Sequence, residues 1–334
     1  MDERLISAER TSYDDEPFSL RPKTLKEFIG QDDVKEMLDI FIRASQKREE
    51  SLDHVLFYGP PGLGKTTLAN ILANEMGVQI KIASGPAIEK SGDLAVLLTA
   101  LNPGDVLFID EIHRLPKIVE EVLYPAMEDF AIDLIVGKDE TSRAIRVDLP
   151  PFTLVGATTR FGDLTGPLRD RFGVVHKLDF YDAKALETIC HRTAELYKTP
   201  IDATSIEEIG RRSRGTPRIV NRLFRRIRDF ADVLNDGVID PAITDQALAK
   251  LNIDPFGLDQ KDYLYLETLI EHHKGGPVGI DNLASGMSED VTTLEDVYEP
   301  YLLKLGFIAR TSRGRVATDK AYKHLKKPFQ SGLF

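Results

Sequence analysis

Up to about residue 181, short apolar runs alternate with segments of helical period, the order expected of a parallel sheet with crossover helices. Residues 31–47 read as a helix, with Asp32 or Asp33 as its cap. His54-Val-Leu-Phe-Tyr58 reads as a buried strand, and residues 68–76 as the helix after it. Residues 78–83 alternate like a strand, and residues 92–101 read as a helix. The near-continuous apolar run at 106–109 fits a central strand buried on both faces. Residues 120–129 look helical. Residues 130–148 look like a hairpin whose arms alternate around a polar Gly-Lys-Asp-Glu turn. Residues 152–160 form another buried strand that ends in Thr158-Thr159-Arg160.

From Asp182 the period changes. Helical patterns alone cover 183–196, 205–213, 217–234 and 244–251. A turn-rich stretch at 251–258 then marks a boundary. Helices at 261–273, 280–286 and 291–305, a hairpin at 306–318 with Arg-Gly at its tip, and a helix at 319–326 make a winged helix. The expected division is a loose tail at 1–19, an α/β domain at 20–181 with parallel sheet and helices on both faces, a small all-helical domain at 182–254, and a winged helix at 255–334.

Composition narrows the setting. Hydrophobic residues make up 42% of the 334 residues, enough for several cores, and the formal charge of −11 leaves room only for local basic patches. A single cysteine, Cys190, permits no disulfide within the chain and no cysteine-based zinc site, which fits a reducing cytoplasm. Residues 1–19 lack the apolar core of a signal peptide, and no apolar run reaches the roughly 20 residues of a membrane span.

The chemistry centres on Gly59-Pro-Pro-Gly-Leu-Gly-Lys-Thr-Thr67. It fits the phosphate-loop template and lies between a strand and a helix, as that template requires. Gly62 and Gly64 let backbone N–H groups turn toward phosphate oxygens. Lys65 is placed to reach the β- and γ-phosphates, and the Thr66 hydroxyl to hold Mg²⁺, with Thr67 beside it. Asp110-Glu111 ends the apolar strand, where open α/β sheets place ligands. Asp110 suits the Mg²⁺ shell, and Glu111 suits the polarising of an attacking water. Thr158 or Thr159 would stand beside the phosphate loop. His113 could sense the phosphate or cap the next helix.

Arg169 and Arg171 flank Asp170, either as a solvated helix end or as an arginine finger acting across a subunit boundary. Arg21 reads as a nucleotide contact or a surface residue. Arg218, in the first turn of the helix begun by Pro217, points to nucleotide sensing. Ile132, Leu134, Ile135 and Val136 on the hairpin are either core or a docking surface. Arg310, Arg313 and Arg315 cluster on the wing with no groove-reading Asn or Gln set. That favours phosphate contacts without sequence preference, although winged helices also serve as protein interfaces.

In this order the motifs resemble those of AAA+ ATPases, and over nearly the whole chain from Leu20 they resemble the RuvB family of bacterial Holliday junction branch-migration motors. The resemblance is carried by Leu20-Arg-Pro-Lys, residues 54–67, Leu107-Phe-Ile-Asp-Glu-Ile-His-Arg-Leu115, Gly156-Ala-Thr-Thr-Arg160, Pro167-Leu-Arg-Asp-Arg-Phe-Gly173, Arg214-Gly-Thr-Pro-Arg218, Gly275-Gly-Pro-Val-Gly279 and Glu299-Pro-Tyr-Leu302. It implies a homo-hexameric ring that encircles duplex DNA, hydrolyses ATP with Mg²⁺ between subunits, and drives branch migration of four-way junctions in recombination and SOS-type DNA repair. The implied partners are RuvA, docked on the 130–148 hairpin, and RuvC in the resolving complex. It also implies Leu20, Arg21 and Tyr181 as the adenine-side wall, Thr158 or Thr159 as first sensor, Arg171 as finger with Arg169 its neighbour, Arg218 as second sensor, and Arg310, Arg313 and Arg315 as the DNA-facing wing. The rival expectation is an AAA+ clamp loader or remodeller, which needs the same ATP site but no C-terminal winged helix.

Overall fold

The alternating part of the chain builds a parallel sheet from β1 (Val55–Tyr58), β2 (Ile80–Ser84), β3 (Val106–Asp110), β6 (Thr153–Thr158) and β7 (Val174–Lys177), while β4 (Ala131–Val136) and β5 (Arg143–Asp148) pair separately as an antiparallel hairpin. The spatial order is β2-β3-β6-β1-β7. In the computed structural model, residues 21–136 and 143–328 are described. They form two compact units, one of residues 21–59 and 63–179, the other of residues 60–62 and 180–328. Leu20 lies outside the described residues.

In the first unit the helices are α1 (Asp32–Arg48), α2 (Lys65–Met76), α3 (Ser91–Thr99), α4 (Lys117–Glu128) and the short α5 (Gly166–Arg169). Side chains alternate across each strand, so register decides which residues share a face. Leu56, Leu107, Ile109 and Leu154 join Leu94, Leu98, Val119 and Leu123 of α3 and α4 in one core. Val55, Phe57, Phe108, Val155 and Ala157 are equally buried on the opposite face, and α2 packs on β3 and β6. The central strands therefore carry apolar residues at consecutive positions on both faces, which is why their sequences read as runs. Strand β7, only four residues at the sheet edge, was not separable as an element in the sequence.

The cap expected of Asp32 or Asp33 is corrected. Gln31 is the N-cap, in a left-handed conformation with no side-chain cap bond, and both aspartates lie in the first turn. The Gln31 amide instead ties to Asp179: Nε2 donates to its carbonyl at 2.6 Å, and its backbone N–H donates to Oε1 at 3.3 Å. The aspartates keep a role there as charges favoured by the helix dipole.

His54 joins three elements at the start of β1. Its Nδ1 accepts from the Leu154 N–H at 2.9 Å, and its Nε2 lies 3.0 Å from the Met127 carbonyl. Those two bonds fix a neutral ring with the proton on Nε2. Burial lowers its pKa from the usual value.

The second unit begins with helices α6 (Ala183–Tyr197), α7 (Ala203–Arg212), α8 (Pro217–Leu234) and α9 (Pro241–Lys250). A winged helix follows: α10 (Gln260–Glu267), α11 (Ile280–Met287), α12 (Val291–Thr293), α13 (Glu299–Leu305), β8 (Ile308–Thr311), β9 (Gly314–Ala317) and α14 (Asp319–His324). The helix expected over 291–305 is continuous but passes through a wide π turn at Leu294–Tyr298. The two parts share one unit because they are pinned together. Arg214 and Asp262 form an ion pair at 3.0 Å with 3% and 0% exposure, and Arg214 also lies 4.5 Å over the Tyr301 ring. Among the described residues no helix is long and apolar enough to cross a membrane.

Candidate functional site

The phosphate loop is held in a shape that only glycine accommodates at key points. Gly59, Gly62 and Gly64 have φ of 139°, 82° and 103°, and a Cβ on Gly59 would stand 2.4 Å from the Leu178 carbonyl oxygen. Gly64 caps α2 and supplies no side-chain acceptor, so the first N–H groups of that helix are left for a ligand. Lys65 is 7% exposed, and its Nζ donates to the Gly59 carbonyl at 2.7 Å. The ammonium is thus folded back onto its own loop. Thr66 and Thr67 follow in the first turn of α2, partly buried.

Register then places the acids. Phe108 pairs with Val155 and Ile109 with Gly156, so Asp110 lies on the α2 face together with Val155, Ala157 and, by continuation, Thr159. Thr158 lies on the opposite face. The sequence left open which hydroxyl meets the phosphate, with Thr158 the first choice. The structure corrects that choice. Thr158 is 0% exposed, and its Oγ1 is engaged by the His113 ring at 2.9 Å and the Arg160 N–H at 2.9 Å. Thr159 is the residue on the phosphate-loop side. Its hydroxyl and N–H donate to Glu111 Oε2 at 3.3 and 3.4 Å.

Glu111 occupies the left-handed region, φ 48° and ψ 47°, a conformation that costs a side-chain-bearing residue about 1–2 kcal/mol. Its N–H donates to Asp110 Oδ1 at 3.0 Å, and its carbonyl accepts from Arg114 at 2.9 Å. Gly85 closes the other side, because a Cβ there would stand 2.4 Å from the Glu111 oxygen. The sequence reading missed Gly85, which sits in an unremarkable Ser-Gly-Pro turn.

Arg171 is held ready by its neighbours. It pairs with Glu128 at 3.0 Å, donates to the Pro167 carbonyl at 2.7 Å and lies 4.5 Å over the Tyr124 ring. Arg169 lies 5.3 Å over Phe161. A buried carboxylate anchors this segment: Glu120, 3% exposed, accepts from Thr165 Oγ1 at 2.7 Å and Tyr124 at 3.0 Å, and Thr165 caps α5. Glu120 was also missed, since it reads as one acid on an amphipathic helix. Arg21 is partly buried.

On the hairpin, Ile132 is 0% exposed and belongs to the core under α3 and α4, so its assignment to a docking surface is corrected. Ile145, paired opposite Leu134 in the register, is 49% exposed. The side chains of Leu134, Ile135 and Val136 lie outside the described residues.

In the second unit Tyr181 is 6% exposed, with its N–H on the Gly215 carbonyl at 2.9 Å. Arg218 opens α8 behind Pro217, and a Cβ on Gly62 would lie 3.2 Å from the Arg218 Cβ. On the wing, the three arginines separate. Glu299, 0% exposed, accepts from Arg315 Nε at 2.8 Å, Arg310 Nε at 2.9 Å and the Tyr265 hydroxyl at 2.9 Å. Arg315 also reaches Glu295 at 3.0 Å and is only 14% exposed. Arg315 is therefore turned inward as the counter-ion of a buried carboxylate, which corrects its assignment to the DNA face. Arg310 shares that task but keeps 48% exposure, and Arg313 stands exposed at the tip.

The comparisons with known proteins agree with this layout. Residues 20–178 match the family model for the Holliday junction DNA helicase RuvB P-loop domain, residues 181–254 the RuvB AAA lid domain, and residues 255–326 the RuvB C-terminal winged helix domain. The chain is 58% identical over 332 residues to the Holliday junction branch migration complex subunit RuvB of Acholeplasma laidlawii, covering 99% of this chain and 98% of that one. It is 58% identical over 316 residues to the same subunit of Phytoplasma mali, covering 95% of each. The solved structure of the Thermotoga maritima RuvB Holliday junction branch migration motor is similar at a TM-score of 0.86 and 51% identity, covering 93% of this chain and 99% of that one. With a phosphate loop, lid and winged helix each matched in order, the chain belongs to the RuvB family of Holliday junction DNA helicases.

Proposed function

We propose that this chain is the ATP-driven motor of branch migration: it moves duplex DNA through a four-way junction, as a hexamer, together with a RuvA partner and with RuvC in the resolving complex, in the cytoplasm. The observation that carries the chemistry is the placement of Lys65, Thr66, Asp110 and Thr159 on one face of the sheet, with Glu111 at the turn beyond.

The residues divide the work. Lys65 exchanges its bond to the Gly59 carbonyl for the charge of the β- and γ-phosphates. Thr66 and Asp110 offer a hydroxyl and a carboxylate, hard oxygen donors of the kind that hold Mg²⁺. That ion, when bound, neutralises charge on the phosphate oxygens. Every side-chain contact of Glu111 among the described residues goes to Oε2, leaving Oε1 to take a proton from the attacking water. Thr159 is placed to turn from Glu111 to the terminal phosphate. Arg171, fixed by Glu128 and Tyr124, serves as the finger for a neighbouring subunit. In the second unit, Arg218 and Tyr181 are assigned to nucleotide contact. Arg313 and Arg310 meet DNA phosphates, and the hairpin carrying Ile145 meets RuvA.

The test is steady ATP turnover with and without duplex DNA. Turnover raised by DNA and abolished by Lys65→Ala is expected. Equal turnover in the Lys65→Ala variant contradicts the site.

A further inference from the structure

We propose that Lys304 is a positioning residue that couples the DNA-facing winged helix to the nucleotide contacts of the same unit. The inference rests on the reading of this chain as an ATP-driven DNA motor and adds a link between its two sites.

The link is the turn between α7 and α8, whose residues face two ways. On one side, the Gly215 carbonyl accepts from the Tyr181 N–H at 2.9 Å. Thr216 and Arg218 approach the phosphate loop there, since a Cβ on Gly62 would lie 3.6 Å from the Thr216 Cβ and 3.2 Å from the Arg218 Cβ. On the other side, the winged helix grips the same turn at two points. Arg214 is buried against Asp262 of α10 and the Tyr301 ring of α13. Three residues further along α13, the Lys304 ammonium lies 4.4 Å over the Phe180 ring, and a Cβ on Gly215 would collide with it. Phe180 precedes Tyr181 in the chain. The ammonium therefore meets both segments that the Tyr181–Gly215 hydrogen bond joins.

The same helix reaches the DNA face. Glu299 opens α13 and accepts from Arg310 and Arg315 of the wing. The helix is only seven residues long, so a displacement of Glu299 moves Lys304 with it. The buried Arg214–Asp262 pair resists separation of lid and winged helix. Lys304 is exposed, and its ring contact is the one that can slide. DNA that draws Arg310 outward shifts α13, and with it the hold of the ammonium on Phe180 and Gly215. Tyr181 and Arg218 follow. The linkage runs both ways, because nucleotide changes DNA affinity by the same factor as DNA changes nucleotide affinity.

The test measures that factor. Fluorescence anisotropy gives the affinity of the full chain for duplex DNA with and without a non-hydrolysable ATP analogue and Mg²⁺, and the two affinities form a ratio. In the unaltered chain the ratio should differ from one. Lys304→Met keeps an apolar stem and removes the ammonium. It should bring the ratio about two- to fivefold closer to one, the worth of an exposed cation–ring contact. DNA affinity without nucleotide and ATP turnover without DNA should stay within about twofold, which a merely structural loss would not allow. Phe180→Leu should shrink the ratio as much, and the double variant no further, because both substitutions remove one contact. An unchanged ratio in Lys304→Met, losses that add in the double variant, or an unaltered chain whose DNA affinity ignores the analogue each overturn the inference. DNA affinity lowered equally with and without the analogue also overturns it, by making Lys304 a phosphate contact. All four leave the motor reading standing. A chain that neither turns over ATP nor binds DNA overturns both.

Discussion

Gly85 and Glu111 approach so closely that a methyl group on Gly85 would stand 2.4 Å from the Glu111 carbonyl oxygen. The strained turn that presents the glutamate is thus braced from β2. Gly85→Ala must displace that turn. Expected are a stability loss of about 1–3 kcal/mol and a drop in kcat larger than the change in nucleotide affinity. Melting temperature and turnover check it, and unchanged turnover would show that the brace is dispensable.

Thr159→Val should lower kcat about 100-fold with nucleotide still bound, since it removes the hydroxyl that holds Glu111 and that is proposed to meet the phosphate. Thr158 is buried and bonded to the His113 ring and the Arg160 N–H, so the effect of Thr158→Val on turnover should be smaller. A larger loss in Thr158→Val than in Thr159→Val would restore Thr158 as the phosphate contact.

Arg171→Ala removes a cation that Glu128 and Tyr124 hold in place. ATP turnover should fall about 10³-fold. Mixed with Lys65→Ala subunits, part of the activity should return, because each variant supplies what the other lacks at a shared site. Mixtures no more active than the separate variants would place Arg171 in its own subunit's chemistry.

On the wing, Arg313→Ala and Arg315→Ala should fail differently. Arg313→Ala should leave stability unchanged and lower the salt dependence of DNA binding by about one unit. Arg315→Ala strips a counter-ion from fully buried Glu299 and should cost about 3 kcal/mol of stability. Denaturant melts and binding titrations in salt separate the two. Equal effects of both substitutions on binding alone would return Arg315 to the DNA face.

Acid should weaken the first unit through His54. Its folded pKa is depressed by burial, so the neutral ring is favoured in the fold. Its contribution is complete above the unfolded value of about 6.5 and is lost as pH falls from there toward the folded value, where the unfolded chain binds a proton that the fold refuses. His54→Gln should flatten the change in melting temperature between pH 7.5 and 5.5. An unaltered slope would assign it to other groups.

What the sequence revealed was chemistry held in contiguous residues. The loop at 59–67 and the strand-end acids Asp110-Glu111 are patterns that a few neighbouring residues carry by themselves. What it hid depends on pairing between distant strands. Thr158 and Thr159 are adjacent, and only the β3–β6 register says which faces α2. Gly85 gains its meaning from a carbonyl 26 positions away, and Glu299 captures Arg310 and Arg315 from 11 and 16 positions away. A basic hairpin therefore read as three equivalent phosphate contacts. Ile132 lies at the hairpin's base, where alternation looks the same whether a face meets core or partner.

The most direct measurement is dissociation of a synthetic four-way DNA junction by the purified chain, with ATP or a non-hydrolysable analogue, each with and without RuvA. Dissociation that requires ATP hydrolysis and is strengthened by RuvA is the expected result. ATP turnover with no movement of the junction under any of these conditions would contradict the motor and leave only an ATPase.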